Sequence, residues 1–285
     1  MMSFLSLWLT PWEPFASLMA CMAVAIVLYL RGRRRVRMGP GRQAAFWTGM
    51  ALIYFFQLTH FDYYAEHEFF LHRLQQLVLH HAAPLLIVLA YPGAALRAGI
   101  PLQWRVRVLR PLARSRGMRR VARIALNPAL VTIAFIVSIL VWLIPSMQTM
   151  AMLDWRVYRL MNASMLVSGF AYWWLVLDHR PRPPARMPTG LRVISPAITM
   201  FPQILAGAFI ALSRSDLYPI FSICGRALAL GPQADQQLGG LIIWIPASIV
   251  EATAALLAMR RWMRLSGNPR CRKPIVSARP RTGDV

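Results

Sequence analysis

Residues 69–95 read FFLHRLQQLVLHHAAPLLIVLAYPGAA, and this stretch decides the class of protein. A helix needs about 20 mostly apolar residues to cross the ~30 Å hydrocarbon core of a bilayer. The stretch is long enough for that, and Arg73 is its one formally charged side chain, with the histidines counted as neutral. It therefore predicts a transmembrane helix.

Six further apolar runs resemble the first, and together they predict an all-α integral membrane protein with a bundle of seven transmembrane helices. The chain is 57% hydrophobic and 15% charged, with a mean hydropathy of +0.46, which is too apolar for an ordinary soluble domain. We expect one membrane domain over residues 1–265. Its predicted spans are roughly 14–30, 44–60, 69–95, 128–145, 160–177, 194–213 and 238–259.

The net charge of +22 is spread unevenly and predicts an orientation. In a seven-span arrangement, most arginines lie on one side of the membrane and most carboxylates on the other. Basic loops stay in the cytoplasm, so we expect a multi-pass membrane protein with its N-terminus outside. We expect the C-terminus to be cytoplasmic and its basic tail at 266–285 to be disordered. The charge thus indicates topology, with the lipid bilayer as partner and no nucleic acid.

The longest predicted loops are roughly 96–127 and 214–237.

Five of the six histidines lie in or just before the opening stretch, in HFDYYAEHEFFLHRLQQLVLHHAAP at 60–84. Two precede the predicted span beside Asp62, Glu66 and Glu68, one lies about a turn inside it, and two lie near mid-membrane. Such clustering favours a functional site over isolated core histidines. The five are His60, His67, His72, His80 and His81.

A polar stripe runs along this predicted helix, because residues four apart lie on one face. Ionisable groups at mid-bilayer cost roughly 2.5–3.5 kcal/mol, so the stripe should face the interior of the bundle. The alternative is that neutral histidines make ordinary hydrogen bonds between helices. The stripe consists of Glu68, His72, Gln76 and His80.

The stripe cannot bind a metal ion alone. His72 and His80 are eight residues apart, about 12 Å along a helix axis, whereas metal–nitrogen bonds are about 2 Å long. A second source of ligands is PSMQTMAMLDW at 145–155, whose thioethers are soft ligands that select Cu(I). Copper is therefore a candidate cofactor, although methionine is also common in apolar segments. The candidate ligands are His60, His67, His72, His80, Met147, Met150 and Met152.

Several motifs carry a family resemblance. HRLQQLVLHHAAPLLIVLAYP at 72–92 is followed by VWLIP at 141–145, GFAYWWLVLDHRP at 169–181, LYPIF at 217–221 and DQQLGGLIIW at 235–244. In these motifs and their order the chain resembles the polytopic CtaG family of assembly factors for caa-type cytochrome c oxidases. The resemblance implies a role in respiratory chain biogenesis, with oxidase subunits or periplasmic copper donors as partners.

The resemblance also implies which residues matter. His72 matches the leading motif histidine and Gln75 the motif glutamine. Three positions depart from the pattern, because Gln76, Leu143 and Asn162 stand where histidines are usual in the family. The departures indicate a divergent member. The residues matching the last motif are Asp235, Gln236, Gln237, Gly240 and Trp244.

The last predicted helix carries two carboxylates of interest. Asp235 is placed to N-cap a helix that begins near Gln236. Glu251 lies deeper in the predicted span, where we expect it to be protonated, to pair with a histidine of the third helix or to face a wet cavity. Together with His80 and His81 it would form a polar group near the membrane midplane.

The leading functional hypothesis is a cytochrome c oxidase assembly factor of a bacterial inner membrane. It would bind oxidase subunits or their copper donors at the periplasmic face, where it could also bind copper or hand it on. One alternative is a metal-free scaffold that docks oxidase subunits. Another is a copper or small-solute transporter that uses His80, His81 and Glu251 as a relay, although no inverted repeat is evident. We expect no enzyme, because the sequence has no glycine-rich phosphate loop, nucleophile elbow or HExxH motif.

Overall fold

The computed structural model describes residues 10–12, 15–178, 180 and 185–266, and within these ranges the chain is helical and has no β-strand. The predicted basic tail falls outside the described residues, apart from Ser266. Twelve helices are named below in chain order. They are α1 (Ala16–Arg33), α2 (Pro40–Leu58), α3 (Phe61–His67), α4 (Phe69–Leu89), α5 (Gly93–Gly99), α6 (Arg116–Ala125), α7 (Pro128–Leu143), α8 (Pro145–Leu153), α9 (Trp155–Val176), α10 (Thr189–Leu212), α11 (Ile220–Ile223) and α12 (Pro232–Ser266).

Each predicted span overlaps one of these helices, but the predicted count of seven is not confirmed. Of the described helices, α1, α10 and α12 are long and apolar enough to cross a membrane. The number rises to five if two bent pairs each form one span, α4 with α5 at 73° and α6 with α7 at 54°. These helices indicate a membrane protein.

The region predicted as a loop at 96–127 is largely helical, so that expectation was wrong. Three short helical pieces, Leu102–Trp104, Arg105–Leu109 and Arg110–Arg114, precede α6. Ser115 caps α6 by accepting a hydrogen bond from the backbone N–H of Met118 at 3.2 Å. Arginine and leucine are good helix formers, so an arginine-rich segment without a long apolar run still forms exposed helices.

The helix α4 lies at the centre of the fold and packs against α2, α3, α9 and α12. Small residues bring its neighbours close. A Cβ atom built on Gly169 of α9 would lie 2.3 Å from the carbonyl oxygen of His80. Likewise, a Cβ on Gly240 of α12 would lie 2.5 Å from the backbone nitrogen of Ala211 in α10. These close approaches set the register between the helices that carry the polar side chains described below.

Charged side chains gather at opposite ends of the bundle. We call the end that carries Asp62, Glu68 and Asp235 the acidic end. The basic end carries Arg42 and Arg261, whose guanidinium groups lie over the ring of Tyr91.

Candidate functional site

The polar stripe of α4 faces the interior, as its helical spacing predicted. His72 is fully buried, and Gln76 and His80 are at most 4% exposed. One turn of α4, Val78–Ala82, is a π turn rather than an α turn. Such turns are rare and occur frequently at functional sites. This one carries His80 and His81 side by side in the core.

Glu251 of α12 lies at the deep end of this stripe and is fully buried. Its Oε1 accepts hydrogen bonds from Gln203 Nε2 at 2.7 Å and from Thr199 Oγ1 at 3.1 Å, both on α10. His81 Nε2 lies 3.3 Å from the same oxygen. Of the options that the sequence left open for Glu251, pairing with a histidine of α4 is therefore the one observed.

His80 extends this group toward α7. Its Nδ1 lies 3.3 Å from Nδ1 of His81, and its Nε2 lies 3.1 Å from Ser138 Oγ. If Nε2 of His81 donates to Glu251, a neutral His81 ring accepts at Nδ1 and His80 donates to it. A row of polar contacts thus runs from Ser138 through the two histidines to a buried carboxylate.

Arg73 begins a second group closer to the acidic end. Its side chain is 2% exposed, and it forms no ion pair with the described carboxylates. Instead Nη1 donates to Gln76 Oε1 at 2.5 Å and Nη2 donates to Gln148 Oε1 at 2.6 Å. The guanidinium also lies 4.6 Å from the ring centroid of Phe69, a cation–π contact. A positive charge is thus held in the core by amides and an aromatic ring.

A cavity of about 30 Å³ joins the two groups, lined by Arg73, Gln76, His80, His81 and Gln203 among others. Since a water needs about 10–15 Å³, the cavity has room for about two waters. We call the residues from Arg73 through this cavity to Glu251 the polar column. Its cavity is too small to pass a hydrated solute.

Asp235 does not cap its own helix, and that prediction was wrong. Because Pro232 occupies the first turn, where proline is well suited, α12 begins three residues before Asp235. The carboxylate accepts instead from the backbone N–H of Phe69 at 3.0 Å and of Phe70 at 2.8 Å, so it caps α4. Arg226 joins it to Glu68, with Nη1 at 2.7 Å from Asp235 and 3.1 Å from Glu68.

The comparison with known families covers nearly all of these elements. The family model for the cytochrome c oxidase caa3 assembly factor (Caa3_CtaG) matches residues 27–265. The chain belongs to this family. The match includes α4, α10 and α12, which carry the polar column, and it confirms the resemblance read from the motifs. No curated protein and no solved structure matches the chain.

Two glutamines of the family motifs bind backbone groups of neighbouring segments. Gln75 Nε2 donates to the carbonyl of Phe56 at 2.6 Å. Gln236 Oε1 accepts from the backbone N–H of Leu217 at 2.7 Å, and its Nε2 donates to the carbonyl of Ser215 at 3.1 Å. These amides tie α4 to α2 and α12 to the segment after α10.

The remaining motif residues have other surroundings. Gln237 is exposed, and Trp244 is half-buried where α12 meets Gly207 of α10. Gly240 lies in the same contact. Asp235 and Gln236 are buried whereas Gln237 is exposed, so the three consecutive polar residues of the motif have different surroundings.

The donor atoms around His72 do not fit a resident copper ion. His72 Nε2 lies 3.0 Å from Gln76 Nε2, and the same amide donates to Met161 Sδ at 3.2 Å. One amide thus occupies His72 Nε2 and Met161 Sδ, whereas His72 Nδ1 is buried and has no hydrogen-bond partner. The buried charge of Arg73, next to His72 in the sequence, also opposes a cation there. Among the described residues no group of three or more His, Cys, Asp or Glu side chains could hold a metal ion.

The other candidate ligands lie in separate settings. His60 packs against Trp12 with ring centroids 4.3 Å apart, and His67 Nδ1 lies 2.7 Å from the carbonyl oxygen of Tyr63. On α8, Met147 and Met150 are 36% and 53% exposed. Met152 is half-buried against the hydrophobic core.

Several residues of the site were not singled out from the sequence. A detectable signal existed for two of them, because Arg73 and Gln203 are polar residues within apolar helices, where such residues are rare and functional. Gln148 carried no such signal, since it lies in a short segment with mixed composition. Its role depends on contact with Arg73 across the fold.

Proposed function

We propose that this caa3 assembly factor works in a bacterial inner membrane, where it binds a cytochrome c oxidase subunit and holds it during assembly. The proposal assigns it no catalytic step and no resident metal. The observation that carries it is the arrangement around Arg73. A buried guanidinium lies next to His72 in the sequence, and the amide of Gln76 contacts both His72 Nε2 and Met161 Sδ, which disfavours a bound metal ion there.

The acidic end offers a surface for such a subunit. A pocket of about 240 Å³ opens there, lined by Asp62, Glu66, Met152, Trp155 and Arg159 among others. Trp155 is 58% exposed at its rim. Exposed tryptophans beside charged groups are typical anchors of protein interfaces, where a few aromatic residues supply most of the binding energy.

We predict that Trp155→Ala lowers co-purification of oxidase subunits at least fivefold, because the partner loses its aromatic anchor. The tagged protein would be isolated from a bacterium that makes a caa-type oxidase, and the subunits quantified by mass spectrometry. Trp262→Ala is the matched control, since Trp262 is 44% exposed on the last turns of α12 at the basic end. An equal loss in both variants, or none in either, would contradict docking at this pocket.

Delivery of copper is the second candidate function, and one observation favours it. Met147 and Met150 are three residues apart on α8, so both exposed thioethers lie on one face of the helix. Thioethers bind Cu(I), which would here be cargo rather than a resident cofactor.

A copper-loading experiment separates the two functions. The purified protein would be loaded with Cu(I) under reducing conditions, washed, and analysed for metal beside a Met147→Leu/Met150→Leu variant of similar side-chain volume. We expect less than 0.1 copper per chain in both proteins, and subunit binding that persists with a Cu(I) chelator. Near-stoichiometric copper that disappears in the double variant would replace the scaffold with a copper carrier.

A further inference from the structure

A second pocket, unrelated to the polar column, opens at the basic end of the bundle. Its volume is about 290 Å³, roughly twenty times what a single water needs. It lies where α2 begins and where α4 and α9 end. One wall is apolar and includes Val88, Trp174 and Leu177, while Arg42 and Arg97 line the other side.

The pocket carries an excess of positive charge. Its one described carboxylate is Asp178, and Arg180 binds both oxygens, with Nε 2.9 Å from Oδ1 and Nη2 2.8 Å from Oδ2. Burial would raise the pKa of Asp178, but hydrogen bonds from Arg180 and the charges of Arg180 and Arg192 lower it overall. The carboxylate therefore stays ionised and paired at neutral pH.

The other two arginines of the pocket keep their charge unpaired. Arg97 Nε donates to the carbonyl of Gly93 at 3.0 Å, within its own helix. Arg42 lies over the ring of Tyr91, 5.5 Å from its centroid. Neither forms an ion pair with a described carboxylate, and both are exposed. Their guanidinium donors are available to an anion.

Specific contacts hold Tyr91 in place in the lining of the pocket. Tyr91 has a φ of 50°, in the left-handed region that costs a non-glycine residue about 1–2 kcal/mol. Its hydroxyl donates to the carbonyl of Leu177 at 2.7 Å, and Arg261 Nη1 donates to the same oxygen at 2.6 Å. The strained backbone thus holds the tyrosine ring next to Arg42 and Arg261.

The position of the pocket along the bundle indicates which kind of anion it binds. It lies at the ends of apolar helices, and Trp174, 41% exposed, is on its rim. Tryptophan is enriched at the interface between membrane and water, where lipid phosphates lie. A free phosphate ion would leave the apolar wall of Val88 and Trp174 without a partner, whereas the glycerol and upper acyl chain of a phospholipid would cover it.

We propose that this pocket binds the headgroup of an anionic phospholipid, with its phosphate held by Arg42 and Arg97. Arginine suits this role because its planar donors match the oxygens of a phosphate. Basic pockets between membrane helices bind acidic headgroups in this way. The lipid would bridge the start of α2 and the bend between α4 and α5.

Native mass spectrometry of the delipidated full-length protein tests this assignment. Phosphatidylglycerol and phosphatidylcholine with the same acyl chains are added back separately. We expect one phosphatidylglycerol per protein, bound at least tenfold more tightly than phosphatidylcholine. The Arg42→Gln/Arg97→Gln variant should lose that preference at least tenfold. It should fold, because both side chains are exposed.

The control variant removes two positive charges outside the pocket. Arg107→Gln/Arg119→Gln alters two exposed arginines outside the pocket and should keep the preference for phosphatidylglycerol. An equal loss in this control would show diffuse attraction to the basic end and overturn the site. Competition by millimolar inorganic phosphate at constant ionic strength, abolished in the Arg42→Gln/Arg97→Gln variant, would overturn the lipid in favour of free phosphate. We expect no such competition.

Discussion

Replacing Glu251 with leucine should lower the free energy of unfolding by about 3 kcal/mol, with a matching loss of assembled oxidase in the membrane. Gln203, Thr199 and His81 all lie within hydrogen-bond reach of its Oε1. Leucine has no such acceptor, so the three groups lose their shared hydrogen-bond partner inside the bundle. Hydrogen bonds between membrane helices contribute about 0.6–1.7 kcal/mol each, so three of them give this magnitude.

Glu251→Gln is the matched control, since glutamine keeps an accepting oxygen and removes the carboxylate alone. We expect less than 1 kcal/mol of destabilisation in this variant. Thermal unfolding in detergent, followed by tryptophan fluorescence, gives the comparison. A leucine variant as stable as the wild type would contradict the hydrogen bonds described here. If the glutamine variant is stable but assembled oxidase is lost, the negative charge of Glu251 itself takes part in assembly.

Asp235→Ala should also destabilise the protein by about 3 kcal/mol, although Asp235 lies outside the polar column, at the acidic end of the bundle. About 1 kcal/mol comes from the lost cap of α4, whose first N–H groups have no partner within the helix. About 2 kcal/mol more comes from the lost charged hydrogen bond to Arg226. The stability of the Asp235→Asn variant should lie between that of the alanine variant and that of the wild type.

A second capping aspartate provides the comparison. Asp154 caps α9 by accepting from the backbone N–H of Arg156 at 2.8 Å, but its side chain is exposed. Asp154→Ala should therefore cost only about 1 kcal/mol. The two alanine variants are to be compared by thermal unfolding under identical conditions. Equal destabilisation would show that Arg226 adds nothing to the role of Asp235.

Much of the helical fold could be predicted from the sequence, because long apolar runs have few alternatives in a bilayer. The predicted spans overlap the observed helices, but their ends and number were less predictable. The exposed helices around α6 were missed for a physical reason. Helix formation needs only suitable propensity and a cap such as Ser115, so arginine-rich segments without an apolar run can be helical.

The candidate site was only partly predictable. His72, Gln76, His80, His81 and Glu251 were all singled out as polar groups in apolar surroundings. The polar column contains all of them except His72, which contacts Gln76 of the column. The pairing of Asp235 was predicted incorrectly, because a capping aspartate was assigned to the nearest helix in sequence. The nearest helix end in space belongs to α4, more than 160 residues away.

By itself the sequence determined the class of protein, the family and the polar residues that must lie inside, since these follow from hydrophobicity, charge and motif order. Only the tertiary structure decided which of these residues meet. Arg73 meets Gln148, and Glu251 meets His81, only because the register between packed helices brings these distant residues together. That register depends on packing along whole helices, so no single motif contains it.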